Sequence, residues 1–193
     1  MTDRLRLAVI IGSTRDGRFG PTVAGWFAAR ARRYGGLDVD VIDLAEAGLP
    51  QTLPDHEDER PAPVRALAPR LAAADAFAVV CPEYNGGYPA PLKTAIDWYD
   101  EEWRAKPVAL ITYGRESGGL TAAAQLRQVF AELHAVTIRD GISLPCYWEQ
   151  FAPDGSWPKP GADCNTAART TLARLTWWAH ALREARHEHP YIV

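Results

Sequence analysis

The sequence predicts a doubly wound α/β fold, with one parallel sheet of five strands in the order 2-1-3-4-5 and helices on both faces. Three observations carry this expectation. Five runs of strand length alternate with segments of helical periodicity, a succession that closes as a parallel sheet through right-handed crossovers. Several runs are almost continuously apolar, as strands buried on both faces must be. The three loops of unusual chemistry follow strands one, three and four, which are neighbours in that order, and such sheets bind ligands at their carboxyl ends.

Taken in order, Leu5–Ile11 (LRLAVII) is the first strand. Residues 21–34 carry Val23, Trp26, Phe27 and Ala31 at helical spacing, with arginines near the C-terminal end where they suit the helix dipole, and Gly35-Gly36 stops the run. Residues 37–44 (LDVDVIDL) alternate and read as a second strand towards an edge. A loop rich in Pro, Asp and Glu spans 50–63, followed by a helix over 63–74 with Pro69, a weak helix former, in its middle. Residues 76–81 (AFAVVC) give the third strand, 92–99 a helix and 107–112 (PVALIT) the fourth strand. An amphipathic helix over 120–133 stripes Leu126, Val129, Phe130 and Leu133, and 136–142 reads as the fifth strand. A Pro/Gly/Trp-rich loop over 143–163 leads into a last helix over 165–187.

The bulk numbers narrow the function classes. With 193 residues the chain suits a single domain, 1–193, whose C-terminal loop and helix (about 143–188) pack on the sheet. A 47% hydrophobic share argues for a packed core, and a net charge of -3 argues against a nucleic-acid partner. No apolar run approaches the roughly 20 residues that cross a bilayer. The opening MTDRLRLAVIIGS has a basic then apolar profile, but its apolar part is short and runs into a glycine loop, so it reads as a strand. Cys81, Cys146 and Cys164 are odd in number and lack metal-ligand spacing, which favours a reduced, cytoplasmic protein with buried cysteines and no metal site.

The first loop, GSTRDGRFG, ends on a proline able to open a helix. It fails the dinucleotide fingerprint G-x-G-x-x-G, because Thr14 stands two after Gly12, and Asp43 is then a strand-end turn residue rather than a ribose ligand. It fails the triphosphate loop too, because Arg18 replaces the lysine after Gly17. What remains suits a terminal monophosphate: the hydroxyls of Ser13 and Thr14, the guanidiniums of Arg15 and Arg18, and the amides of a helix start. The second loop, PEYNGGYPAP, offers backbone groups and tyrosines to a planar ring, and the third, TYGRESGG, adds Ser117 before two glycines. Together they favour a mononucleotide with a broad ring. Asp97 and Glu101 fall at i, i+4 and read as a solvated helix face, and no side chain is nominated as a catalytic acid, base or nucleophile.

These segments resemble the NAD(P)H-dependent FMN reductases of the flavodoxin-like fold, which include quinone, azo-dye and chromate reductases. GSTRDGR resembles their GSxRxxR phosphate loop, PEYNGGYPAPLKTAIDW their PEYN signature, and TYGRESGGLTAAAQLR their SYG…SGG…QLR segment. The resemblance implies that Ser13, Arg15 and Arg18 hold the FMN phosphate, with Gly12, Thr14, Gly20 and Thr22 nearby. It implies that Pro82, Glu83, Tyr84, Asn85 and Gly86 line the flavin ring, and that Tyr113, Gly114, Ser117, Gly118 and Gly119 close its other side. It further implies NADPH or NADH as co-substrate, a ping-pong reaction with a small-molecule acceptor, and a homodimer or dimer of dimers. Trp98 and Tyr99, with Trp103, then offer a partner surface, with a core role as the alternative for Trp98. Arg115 stands where the family commonly has a glycine, beside the ring, where it would pair with a nicotinamide phosphate or narrow the acceptor site. A flavodoxin-like electron carrier and a pathway reductase component are the alternative readings; the modest net charge weighs against the carrier.

Overall fold

A computed structural model describes residues 4–54 and 60–192, so the loop expected at 50–63 lies partly outside the described residues. The chain runs β1 (Leu5–Ile11), α1 (Gly20–Tyr34), β2 (Leu37–Asp43), α2 (Leu44–Ala47), α3 (Ala62–Ala72), β3 (Ala76–Pro82) and α4 (Ala90–Asp97). It continues through β4 (Pro107–Tyr113), α5 (Leu120–Glu132), β5 (Val136–Thr137), β6 (Ile142–Leu144), a 3-10 turn (Tyr147–Gln150) and α6 (Asp163–Glu188). The sheet is parallel throughout, in the order β2-β1-β3-β4-β5, with β6 also paired to β4.

Period-two geometry sends alternate side chains of each strand to opposite faces. Leu7, Val9 and Ile11 of β1, Ala78 and Val80 of β3, and Ile111 and Tyr113 of β4 meet the apolar stripes of α1 and α6. Ala8 and Ile10, Phe77 and Val79, and Val108 and Leu110 meet α3, α4 and α5 on the other face. Phe27, Phe77 and Phe130 are fully buried between these layers, each burial contributing about 1.5–3 kcal/mol.

The structure departs from the sequence reading in three places. The fifth strand expected at 136–142 is two short segments. Arg127 of α5 donates to the carbonyls of Ile138 and Arg139, and Gly141 sits where a Cβ would be 2.8 Å from the Leu110 carbonyl, so the chain leaves the ladder between β5 and β6. The second strand ends at Asp43, one residue early, because the Asp43 carboxylate accepts from the Ala45 amide at 3.0 Å and caps the unexpected α2. Trp98, Tyr99 and Trp103 are core, not a partner surface. All three are buried within the single chain, and their polar atoms are taken up by the carbonyls of Pro50, Val64 and Ile96.

Candidate active site

Beyond the carboxyl ends of β1, β3 and β4 lies a cleft in two adjoining lobes of about 430 and 800 Å³. Both lobes are bordered by Arg15, Glu83, Tyr84, Arg115 and Glu116. The first loop forms one wall. The Gly12 amide donates to the Val80 carbonyl at 2.9 Å, which holds the loop's start against β3. Ser13 is fully buried, with its Oγ 3.4 Å from the Tyr113 hydroxyl. Gly20 is obligatory in this arrangement, because a Cβ there would lie 2.6 Å from Ser13 Oγ and 2.8 Å from Ile11. From Thr14 the loop rises into solvent, turns through Gly17 at φ +65°, and closes with the Arg18 amide donating to the Arg15 carbonyl. Helix α1 then starts at Gly20-Pro21-Thr22 with no acidic residue in its first turn and no side-chain cap.

The two arginines have different settings. The Arg15 guanidinium is exposed and lies 5.8 Å from the centre of the Tyr84 ring. Arg18 also borders the cleft, but its Nη2 donates to Asp43 Oδ2 at 2.6 Å, and its Nε is buried with no partner among the described residues.

The second loop is a two-residue reversal. Tyr84 and Gly87 exchange backbone hydrogen bonds of 2.8 and 3.0 Å around Asn85 (φ +51°) and Gly86 (φ +77°), the positive angles that favour Asn-Gly in a tight turn. Gln125 of α5 secures it from outside by donating to the Gly86 carbonyl. Pro82, Glu83 and Tyr84 border the smaller lobe, and Asn85 and Gly86 the larger.

Glu83 has a role that its place in the sequence motif does not reveal. Its amide donates to the Tyr113 carbonyl, tying the loop to β4. One carboxylate oxygen accepts from Ser117 Oγ at 2.9 Å and the other from the amides of Thr121 and Ala122 at 3.0 and 3.4 Å. The carboxylate therefore caps α5 and clamps the third loop to the second. In the third loop, Gly114 and Ser117 border the cleft. Gly118 and Gly119 instead accommodate the protein itself: a Cβ on Gly119 would meet Thr112 Cβ at 2.5 Å, and one on Gly118 would meet Ser143 and Pro145.

Sequence reasoning missed the aromatic wall of the smaller lobe. Phe19 stacks on Tyr147 at 4.4 Å and stands edge-on to Tyr113, Phe151 and Trp157, while Trp148 borders the lobe beside Tyr147. The available signal was the concentration of aromatics in the 143–163 loop. Burial raises the pKa of the Tyr113 hydroxyl well above the usual tyrosine value, against a lowering hydrogen bond from Ser13. Burial also raises that of Tyr84, against the lowering influence of Arg15. Both therefore stay neutral hydrogen-bonding groups. Among the described residues no cluster of His, Cys, Asp or Glu could hold a metal ion.

A cationic loop at a helix start beside an aromatic-walled cleft suits a phosphate joined to a flat ring. The unpartnered Arg18 Nε is a donor in want of an acceptor, and no acidic side chain at the start of α1 competes with an anion there. The comparisons with known proteins agree. Residues 5–149 match the model of a family described as NADPH-dependent FMN reductase. The chain belongs to that family. It is 34% identical over 151 residues to an NAD(P)H-dependent FMN reductase of Schizosaccharomyces pombe, covering 72% of this chain and 74% of that one. It is 32% identical over 144 residues to a quinone reductase of Escherichia coli, covering 72% and 76%. The fold matches FerB, a flavoenzyme NAD(P)H:(acceptor) oxidoreductase from Paracoccus denitrificans, with a TM-score of 0.71 at 23% identity, covering 93% of this chain and 98% of that one. Membership makes the chain an oxidoreductase with FMN as cofactor and NAD(P)H as reductant, and sets the electron-carrier reading aside.

Proposed function

We propose that this reductase binds FMN with its phosphate in the first loop and its ring in the two-lobed cleft, and that it works as one domain over 1–193. The carrying observation is the continuity of the two: Arg15 and Arg18 border the same cavity as Tyr84, Tyr113 and Tyr147. In this reading Ser13, Thr14, Arg15 and Arg18 hold the phosphate, with Gly12, Gly20 and Thr22 nearby. The residues that would line the ring are Pro82–Gly86, Tyr113, Gly114 and Ser117, with Gly118 and Gly119 letting that third loop pack closely on β4 and the segment after β6. FMN held there would supply hydride and electron chemistry between a nicotinamide and, in ping-pong alternation, a quinone, azo compound, free flavin or oxidised metal ion. The chain supplies position and field. Arg15 lends positive charge beside Tyr84, the aromatic wall excludes water, and the larger lobe leaves one face open to the exchanging reactants.

A quinone acceptor is the reading its relatives favour. Besides the E. coli enzyme, a Burkholderia protein named 2-hydroxy-1,4-benzoquinone reductase is 36% identical over 140 residues. Three unpaired cysteines suit a reducing compartment, and no helix among the described residues is long and apolar enough to cross a membrane. We propose a cytoplasmic location on the strength of the cysteines and, from the family resemblance alone, a homodimer or dimer of dimers, an assembly that light scattering tests directly. The deciding experiment releases the flavin from purified protein with acid and identifies it. One FMN per chain is expected, and Arg15→Ala combined with Arg18→Ala should abolish retention. Unchanged FMN content in the double variant would overturn the phosphate assignment.

A further inference from the structure

We infer that Asp43 is a positioning residue for the cofactor phosphate: through Arg18 it staples the open side of the phosphate loop to the end of β2. The inference rests on the FMN reading above. The loop is unevenly held. Its start is fixed by the Gly12–Val80 hydrogen bond and by the burial of Ser13, whereas Thr14 is half-buried and residues 15–17 stand in solvent. Its far end is tied down by the Arg18–Asp43 pair, at 2.6 Å, with side chains only 18% and 12% exposed. Asp43 is a firm post for this tie. It is paired in register with Ile11, the last residue of β1, and its second oxygen is fixed by the Ala45 amide at 3.0 Å.

The sign of the effect follows from what each partner loses. Asp43 is negative and repels a phosphate, but the loop between them stands in solvent, where water and salt screen that repulsion, so removing it relieves little. Releasing it frees a long side chain whose Nε has no other partner among the described residues, and leaves the loop to be ordered at the moment of binding. Ordering dominates, so Asp43 strengthens phosphate binding even though it is an acid next to an anion site. A phosphate-free flavin does not use the loop and should not register the change.

The test is Asp43→Asn, which keeps an amide oxygen able to cap α2. Apoprotein of the full chain is titrated with FMN and, separately, with riboflavin, following quenching of flavin fluorescence, with circular dichroism as the control for folding. The FMN Kd should rise about tenfold, equivalent to 1.4 kcal/mol, with riboflavin binding unchanged within about twofold. Arg18→Ala should lose at least as much, and adding Asp43→Asn to it should cost nothing further, because the two residues act as one device. Should Asp43→Asn fail to fold, Arg18→Lys serves, since it keeps the charge and the α2 cap but lacks the planar fork, and the same FMN-selective loss is expected. Unchanged or tighter FMN binding, an equal loss for riboflavin, or additive losses in the double variant would overturn the inference. A wild-type protein that binds neither flavin would instead overturn the FMN reading itself.

Discussion

At the scale of single residues, the cleft depends on positions where a side chain is withheld. Gly20 lets α1 start directly over Ser13, which is what buries the serine hydroxyl against Tyr113. Gly20→Ala forces its new methyl group to within hydrogen-bond distance of Ser13 Oγ, and the neighbours on that side are strand β1 and a buried tyrosine. Relief must come from shifting the loop, so the substitution should cost about 1–3 kcal/mol of stability in urea melts and weaken FMN binding more than riboflavin binding. A variant with wild-type stability and flavin affinity would show that the loop tolerates the added methyl. Such positions are only half legible from the sequence. A glycine-rich turn after a strand is easy to see, but whether the space is kept for a ligand or for the protein is decided by distant residues. Gly20 keeps room for Ser13 and Tyr113, and Gly118 and Gly119 for Thr112, Ser143 and Pro145, none of which is a sequence neighbour.

At the scale of elements, the third and second loops are one unit because Glu83 reaches from the end of β3 to the start of α5. Helix α5 begins after Gly119 with no side-chain cap of its own and no acid in its first turn, so Glu83 supplies both cap and dipole partner from elsewhere in the chain. Glu83→Ala should therefore lower stability by about 1–2 kcal/mol and raise hydrogen exchange at Thr121 and Ala122, with Glu83→Gln between the two. Exchange at those amides matching wild type in Glu83→Ala would refute the cap. The strands were the most legible elements, since continuous apolar runs fix them by burial alone. The failures came where local pattern was outvoted by tertiary contact. Arg127 breaks the last strand by claiming the carbonyls of Ile138 and Arg139, and the aromatic wall joins Phe19 to Tyr113 and to Tyr147, Phe151 and Trp157, all far away in the chain.

At the scale of the whole molecule, the sheet divides chemistry from anchorage: the cleft sits at the carboxyl ends, and a buried lysine braces the opposite end. Lys106, just before β4, is 6% exposed and donates through Nζ to the carbonyls of Leu71 and Ala72, closing the C-terminus of α3, with its charge over the Phe77 ring. Arg186 of α6 donates to the neighbouring Ala105 carbonyl and pairs with Asp75, so three elements converge on this point. Burial, reinforced by Arg186 and partly opposed by Asp75 and Glu102, lowers the lysine pKa to about 8. The ordinary value is 10.5, so between about pH 8 and 10.5 the unfolded chain binds the extra proton and the folded state gains stability as pH rises. The neutral amine retains two N–H donors for the two carbonyls, so the gain does not break the brace. Opposing terms act in the same range, because burial raises the pKa of Cys81, Tyr99 and Tyr113 and the unfolded chain loses those protons first. The lysine's share therefore has to be read as a difference. Subtracting the pH–stability curve of Lys106→Met from that of wild type should leave a rise on the order of 2–3 kcal/mol between pH 8 and 10.5, and a flat line below pH 7. A difference curve flat through the alkaline range would mean that the lysine titrates as though exposed, and that its burial beneath the sheet is not what holds α3, β4 and α6 together.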